Sequence, residues 1–214
     1  MRHHEAGLYH VNEVFGSVQG EGLHAGLAHL FVRFAGCNLA CSKDSPQGFD
    51  CDSEFTSGRE LSLAELLHEV AEERQRLGGR IEWVCLTGGE PALQVDRRLL
   101  DGLHALGFSV AIETNGTVAL VDEAGEALPI DWITVSPKTA EHSIRQTRAH
   151  EAKYVRAYGQ GLPKTQILAE HYLISPAFDG PELDPRAVHW CLGLITENPS
   201  WRLSLQTHKW IGVR

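Results

Sequence analysis

The sequence lacks most features that mark membrane, secreted or nucleic-acid-binding proteins. No apolar run approaches the roughly 18 residues that a membrane-spanning helix needs, and residues 1–16 lack the basic start and apolar stretch of a signal peptide. Basic residues are outnumbered, with 19 Lys and Arg against 28 Asp and Glu, whereas nucleic-acid binding depends on basic side chains. We therefore expect a cytoplasmic protein that binds neither membranes nor nucleic acid.

The cysteines do not fit a secreted disulfide framework. There are five of them, an odd number, and they are unevenly spaced along 214 residues. The sequence also has no internal repeat, low-complexity tract or long linker, and its 43% hydrophobic content suffices for one core. We expect a single domain spanning residues 1–214, with reduced thiols that can act as metal ligands.

Short apolar, β-rich runs alternate with helical patterns. Strands are predicted at residues 29–34, 81–87, 108–113, 132–136, 153–157, 172–175 and 202–206. A helix is predicted within residues 61–79, where Ser62 and Glu65 form a capping box, and two more are predicted within 93–107 and 184–199. This alternation predicts an α/β fold with a mostly parallel sheet, either a barrel or an open doubly wound sheet.

Four polar or glycine-rich clusters follow the first four predicted strands. They are the cysteine-containing loop, "TGGEP", "ETNGT" and "SPK". Any one of them could be a simple turn that needs Gly or Pro. Because the carboxyl ends of parallel strands meet at one edge of a sheet, we expect all four clusters to face the same side and to form a site there.

Three cysteines lie in the first cluster, "GCNLACSKDSPQGFDCDSEF", with no fourth nearby. Structural zinc sites use four protein ligands, so zinc bound by Cys37, Cys41 and Cys51 needs a distant fourth ligand, such as one of the 12 histidines. An iron–sulfur cluster bound by three thiolates instead leaves one iron open for chemistry. The cysteines alone leave both possibilities open. Cys85 and Cys191 fall in apolar patterns and are predicted to be core thiols.

"GCNLAC" after a strand that carries an arginine, followed by "CDS" and "TGGEP", resembles the radical S-adenosylmethionine enzymes. In this sequence the interval between the second and third cysteines is lengthened by the insertion 42–50. The longer loop adds about 1 kcal/mol of closure entropy, which is small beside metal–thiolate bonds. We therefore predict a cluster-binding loop at 37–53 in which all three cysteines bind one cluster.

The resemblance narrows to one family. Over nearly the whole chain the sequence resembles the 7-carboxy-7-deazaguanine synthases, through the motifs "SVQGEG", "VRFAGCNL", "CDSEF", "TGGEP", "IETNG", "VSPK" and "QTHK". It implies an incomplete TIM-like radical SAM barrel that assembles as a homodimer. It also implies a carbon–nitrogen lyase of queuosine and 7-deazapurine biosynthesis. The reaction would contract the ring of 6-carboxy-5,6,7,8-tetrahydropterin, release ammonia and use an electron donor such as flavodoxin.

The resemblance also implies site residues. Cys37, Cys41 and Cys51 would ligate a 4Fe-4S cluster, and Ser53 would ligate Mg²⁺ where the family commonly has threonine. The positions implied to bind S-adenosyl-L-methionine are Gly88, Gly89, Glu90, Ser136, Pro137, Lys138 and Ser175. Those implied to bind the substrate are Val18, Gln19, Gly20, Arg33, Thr87 and Arg214. Glu113, Asn115 and His208 are expected at the same rim without an assigned role.

Two alternative functions compete with this interpretation. A radical S-adenosylmethionine activase, which makes a glycyl radical on a partner protein, would share the cysteines and a similar size, but not the "VQGEG" and "QTHK" motifs. A zinc-stabilised binding module would use the cysteines and a histidine, but it leaves "TGGEP", "ETNG" and "SPK" without a purpose.

Overall fold

The computed structural model describes residues 7–42, 51, 54–179 and 182–213. In these residues the strands are β1 (Leu8–Val18), β2 (Ala28–Phe34), β3 (Arg59–Ser62), β4 (Trp83–Gly88), β5 (Ser109–Thr114), β6 (Trp132–Val135), β7 (Arg148–Arg156), β8 (Leu168–Pro176), β9 (Phe178–Asp179), β10 (Glu182–Leu183) and β11 (Trp201–Leu203). The helices are α1 (Leu63–Arg76), α2 (Arg97–Ala105), α3 (Pro185–Glu197) and α4 (Thr207–Ile211), with short 3-10 turns at Pro91–Leu93 and Glu141–Ser143.

Nine of these strands form one sheet in the order β11-β8-β7-β6-β5-β4-β2-β1-β3. From β2 to β11 every neighbouring pair is parallel, whereas β1 runs antiparallel to both β2 and β3. Within the described part of the chain the sheet remains open between β11 and β3. This architecture confirms the predicted α/β fold with a mostly parallel sheet that forms an incomplete barrel.

Helices α1 and α2 cover one face of the sheet and form the main core with it. Alternate residues of β2, Leu30, Val32 and Phe34, are buried in one cluster with residues of β4 and β5 and with Leu66 and Leu103 of the helices. Because side chains alternate across a strand, the residues between them point to the opposite face, which we call the inner face.

The predicted helices are confirmed, and their caps fix where they begin. In α1 the Ser62 hydroxyl accepts from the Glu65 N–H (3.3 Å), and the Glu65 carboxylate accepts from the Ser62 N–H (2.7 Å), which is the predicted capping box. The helix predicted within 93–107 begins later, at Arg97, because Asp96 accepts from the Leu99 N–H (2.9 Å) and caps it. The strand predicted at 202–206 ends earlier, at Leu203.

The inner face changes from apolar to polar toward the carboxyl ends of the strands. Phe15, Phe31, Cys85 and Ala111 form a small buried cluster with Trp83 and Trp132 packed against it. One step closer to the carboxyl ends, the strand register aligns a polar row across β2, β4, β5, β6 and β7, made of Arg33, Thr87, Glu113, Thr134 and Glu151. The fold thus concentrates polar side chains at the edge where a barrel site is expected.

None of the described helices is both long enough and apolar enough to cross a lipid bilayer.

Candidate active site

The four sequence clusters meet at the carboxyl ends of neighbouring strands, as predicted. The Gly89 N–H donates to the Phe34 carbonyl (3.0 Å), and the Glu90 N–H donates to the Gly36 carbonyl (2.9 Å). The Asn115 side chain in turn donates to the Asn38 side chain (3.1 Å). These bonds join the cysteine loop to "TGGEP" and to "ETNGT".

Gly88 and Gly89 permit a very close approach between β4 and the segment that leads to Cys37. Gly88 has a positive φ of +117°, and a Cβ there would lie 2.3 Å from the Phe34 carbonyl oxygen. A Cβ on Gly89 would lie 2.0 Å from the Gly36 carbonyl oxygen. These glycines therefore allow the backbone at the end of β4 to contact the backbone of the segment that leads into the cysteine loop.

Glu90 joins the ends of β4 and β5 from a fully buried position. One carboxylate oxygen accepts from the Ala92 N–H (2.9 Å) and the Thr114 hydroxyl (2.6 Å), and the other accepts from the Asn115 N–H (2.7 Å). Burial raises the pKa of Glu90, while these hydrogen bonds and the nearby Lys138 ammonium act in the opposite direction. The Glu90 carboxyl group is thereby placed directly behind the cysteine loop.

The "SPK" cluster adds a positive charge to the same edge. Lys138 Nζ donates to the Ser136 hydroxyl (2.6 Å) and lies 3.2 Å from the Ser136 carbonyl oxygen. Pro137 between them is half-buried. Ser175 is also buried near a carboxyl end, but on β8, which lies two strands away from β6.

The charges of the other two loop cysteines, Cys41 and Cys51, act on the Cys37 thiol. Burial raises the pKa of the Cys37 thiol, the Leu39 N–H at 3.4 Å lowers it, and Glu90, Cys41 and Cys51 raise it further. Cys37 and Cys41 are half-buried, and Cys51 is exposed. That the three thiols bind one cluster stays a prediction.

Cys85 and Cys191 do not join this group, because both are fully buried elsewhere, in β4 and α3. The prediction that they are core thiols is confirmed.

Two of the predicted substrate residues, Gln19 and Thr87, bond to Glu113 of the polar row. The Gln19 amide donates to one Glu113 oxygen (3.0 Å), and the Thr87 hydroxyl donates to the other (3.1 Å). Arg33, paired with Thr87 in the register of β2 and β4, donates from Nε to Glu13 (3.0 Å). Glu113 of β5, to which the sequence assigned no role, is thus bonded to β4 and to the loop that follows β1.

The C-terminal segment packs against the loop that connects β1 to β2, which we call the "VQG" loop after its first residues. The Gly20 carbonyl accepts from the Thr207 N–H (2.9 Å) and the Thr207 hydroxyl (3.0 Å). The His208 ring fills the space beside Gly20, since a Cβ on that glycine would lie 2.1 Å from Nδ1. His208 therefore lies beside Gly20, one of the residues predicted to bind the substrate. Ser53, Arg214 and residues 43–50 of the predicted cluster-binding loop lie outside the described residues.

Sequence reasoning missed a buried ion pair below the "VQG" loop, between Lys153 of β7 and Glu21. Glu21 also accepts from the Gln206 amide (2.7 Å). A signal was present in the strand pattern, because Glu151 and Lys153 are two charged residues on the same face of a central strand, where apolar residues are the norm.

Comparisons with known proteins agree with this geometry. The family model described as the Radical SAM superfamily matches residues 31–158, more than half of the chain. The chain is 41% identical to a 7-carboxy-7-deazaguanine synthase of Bradyrhizobium diazoefficiens, and the match covers 96% of this chain and 99% of that one. It is 40% identical to the synthase of Bordetella pertussis over the same shares of the two chains.

Among solved structures, the crystal structure of QueE from Escherichia coli superposes with a TM-score of 0.65 at 25% identity, covering 93% of this chain and 94% of that one. The sequence resemblance, the enzyme class and the fold are thereby confirmed. The chain belongs to the 7-carboxy-7-deazaguanine synthase family within the radical S-adenosylmethionine superfamily.

Proposed function

We propose that this chain catalyses the S-adenosylmethionine-dependent ring contraction of 6-carboxy-5,6,7,8-tetrahydropterin to 7-carboxy-7-deazaguanine, with loss of ammonia, in 7-deazapurine and queuosine biosynthesis. The observation that carries the proposal is the match to curated synthases from one end of the chain to the other, at 41% and 40% identity. The site supports it, because the motifs shared with the family meet at one edge of an incomplete barrel.

The family to which the chain belongs implies a 4Fe-4S cluster, and we propose that Cys37, Cys41 and Cys51 are its ligands. A cubane cluster can bind each of three thiolates through a different iron and leave the fourth iron open. The charges of Cys41 and Cys51 act on the Cys37 thiol, which supports assigning all three to one cluster. When bound, the cluster supplies the electron that cleaves the sulfonium bond of S-adenosylmethionine.

The residues around the cysteine loop suit the charged end of S-adenosylmethionine, which carries both an ammonium and a carboxylate. Glu90 offers a carboxyl group, and Lys138 with Ser136 offers a positive charge and a hydroxyl. The glycine pair keeps the backbone of β4 against the cysteine loop, so that these groups stay beside the thiols. Ser175 would contribute from the neighbouring part of the same edge.

The substrate would lie over the polar row of the inner face. Its flat ring presents donors and acceptors that Gln19, Thr87 and the backbone of the "VQG" loop can match, and Arg33 can bind its carboxylate. We further propose Mg²⁺ at Ser53 and a main-chain contact from Arg214. These last two proposals rest on the family resemblance.

The partners and the location belong to the same proposal. A low-potential electron donor such as flavodoxin would reduce the cluster, and two chains would form a homodimer. The cytoplasmic location stays a prediction from the sequence, because cysteines that act as metal ligands must stay reduced, as they do in the cytoplasm.

Anaerobic reconstitution tests the function directly. We expect brown protein that binds about four irons per chain, cleaves S-adenosylmethionine reductively and converts the carboxytetrahydropterin to 7-carboxy-7-deazaguanine, detected by mass spectrometry. Colourless protein with stoichiometric zinc would support the binding module instead. Reductive cleavage that never yields a deazaguanine, even with Mg²⁺ present, would contradict the proposed reaction and favour the activase.

A further inference from the structure

Lys153 is a buried cation on β7 at the inner face of the sheet. Its side chain is 8% exposed, and Nζ forms an ion pair with Glu21. The carboxylates of Glu113 and Glu151 also act on it. Burying an ammonium is costly unless it is paired, so this lysine must be held by the acidic groups around it.

The carboxylate of Glu21 is shared between β7 and the C-terminal segment. Besides the ammonium of Lys153, it accepts from the Gln206 amide (2.7 Å). Gly20, one residue earlier, accepts from Thr207 (2.9 Å). The ion pair therefore lies where the "VQG" loop, β7 and the segment that leads to His208 come together.

Glu151 fastens the other side of the same loop. It accepts from the Leu23 N–H (2.6 Å) and from the Trp132 indole N–H (3.2 Å). Lys153 and Glu151, two residues apart on one face of β7, thus hold the loop at Glu21 and at Leu23. The cavity that Lys153, Glu151 and Glu21 line together has a volume of about 10 Å³, which is about the space of one water molecule.

We propose that Lys153 is a positioning residue for the ring-contraction reaction, because its ammonium holds Glu21 and thereby fixes the "VQG" loop and the Gln206–His208 segment against the substrate. This inference rests on the function proposed above. Burial alone would lower the pKa of Lys153, but Glu21, Glu113 and Glu151 together raise it above its ordinary value. The residue therefore stays charged at physiological pH.

The bonds that assemble the cysteine loop run elsewhere, through Gly36, Glu90 and Asn115. Changing Lys153 should therefore affect substrate use much more than cluster binding or the cleavage of S-adenosylmethionine. This separation distinguishes a positioning role from a general contribution to folding.

The test uses reconstituted holoenzyme with the variants Lys153→Met, Lys153→Arg and, as a matched control, Lys164→Met at an exposed position. For Lys153→Met we expect kcat/KM for the carboxytetrahydropterin to fall about 10- to 100-fold, mainly through KM, since misplaced binding groups weaken substrate binding and alignment. Iron content and substrate-free reductive cleavage should stay within about twofold of the control, and Lys153→Arg should recover part of kcat/KM.

Each other outcome overturns either the inference or its basis. Wild-type protein without deazaguanine formation overturns the proposed function. If the wild type is active and Lys153→Met has the same kcat/KM as Lys164→Met, the positioning role alone is overturned. The positioning role is also overturned if Lys153→Met loses iron, S-adenosylmethionine cleavage and product formation to the same extent.

If Lys153→Met fails to fold, the double variant Lys153→Met/Glu21→Gln takes its place, because it removes both charges and leaves neither buried alone. We expect the double variant to fold and to keep the low kcat/KM. Wild-type kcat/KM in that variant would also overturn the inference.

Discussion

At the scale of single residues, the five cysteines divide into two groups whose removal should have different effects. Replacing Cys37, Cys41 or Cys51 by alanine should abolish iron retention and reductive cleavage of S-adenosylmethionine, because each thiolate would hold a different iron. Iron analysis and visible absorbance of the reconstituted protein measure this. Cys191→Ala is the matched control, since Cys191 is buried in α3 away from the loop. A loop variant that keeps full cleavage would remove that cysteine from the proposed ligand set.

The buried His29 on the inner face should make the folded protein less stable at acidic pH. It is fully buried, its ring stacks on Trp83 with centroids 5.8 Å apart, and no described residue hydrogen-bonds to either ring nitrogen. Burial, helped by His24, lowers the pKa of His29 from 6.5 to about 4. Between these values the unfolded chain binds a proton that the folded chain excludes. The contribution of neutral His29 to the free energy of unfolding is therefore fully present above pH 6.5. It is lost as the pH falls toward 4.

The expected loss attributable to His29 is about 2 kcal/mol between pH 7 and pH 4.5. Urea unfolding of the wild type and of His29→Phe at both pH values measures it. The phenylalanine variant should lose less stability on acidification, because it has no imidazole to protonate. Equal losses in the two proteins would show that other groups, such as His24, carry the effect.

At the scale of structural elements, the contact between β4 and the cysteine loop should tolerate no side chain at Gly89. A methyl group there would lie 2.0 Å from the Gly36 carbonyl oxygen, so the backbone of one segment must move. Gly89→Ala should therefore lower iron content and S-adenosylmethionine cleavage at least about tenfold, as misplacement by an ångström commonly does.

The matched control is Gly193→Ala in α3, where a Cβ meets no atom within 4 Å. This control should keep full activity and should gain about 0.5–1 kcal/mol of stability, because alanine favours a helix over glycine. Wild-type cleavage in Gly89→Ala would mean that the contact can open without disturbing the thiols.

The parallel strands and the three longer helices could be predicted from sequence because each has a continuous pattern. Strand β1 was missed, since a register shift between Val11 and Glu13 interrupts its alternation. Its antiparallel partner β3 is four residues long, and α4 has five residues, too few for a visible period. Strand β7 begins at Arg148, five residues before its prediction, because polar inner-face residues hide its first half.

The site was predictable where motifs follow strands, and it was not predictable where it depends on packing. The four clusters lie together because parallel strands place their carboxyl ends at one edge. The ion pair of Lys153 with Glu21 joins residues 132 positions apart, so the strand pattern could mark Lys153 as unusual but could not identify its partner. The buried, hydrogen-bonded state of Glu90 likewise depends on the three-dimensional approach of β5.

At the scale of the whole molecule, the proposed homodimer predicts a particle of twice the 23.6 kDa chain mass. The exposed apolar side chains at the C-terminal end, Trp210 (56%), Ile211 (62%) and Val213 (41%), are consistent with a surface that another chain covers. Light scattering coupled to size-exclusion chromatography measures the mass. A monomer mass at micromolar concentration would contradict the proposed assembly.

The base of the cysteine loop is closed by one bond, from the Gly36 N–H to the Phe55 carbonyl (2.7 Å). The residue before Phe55 is anchored as well, because Glu54 accepts from Asn12 of β1 (2.5 Å). The barrel therefore receives the same two fixed ends whatever number of residues separates Cys41 from Cys51. Insertions or deletions in that interval therefore need not disturb the strands β1 and β2, because the two contacts lie outside it.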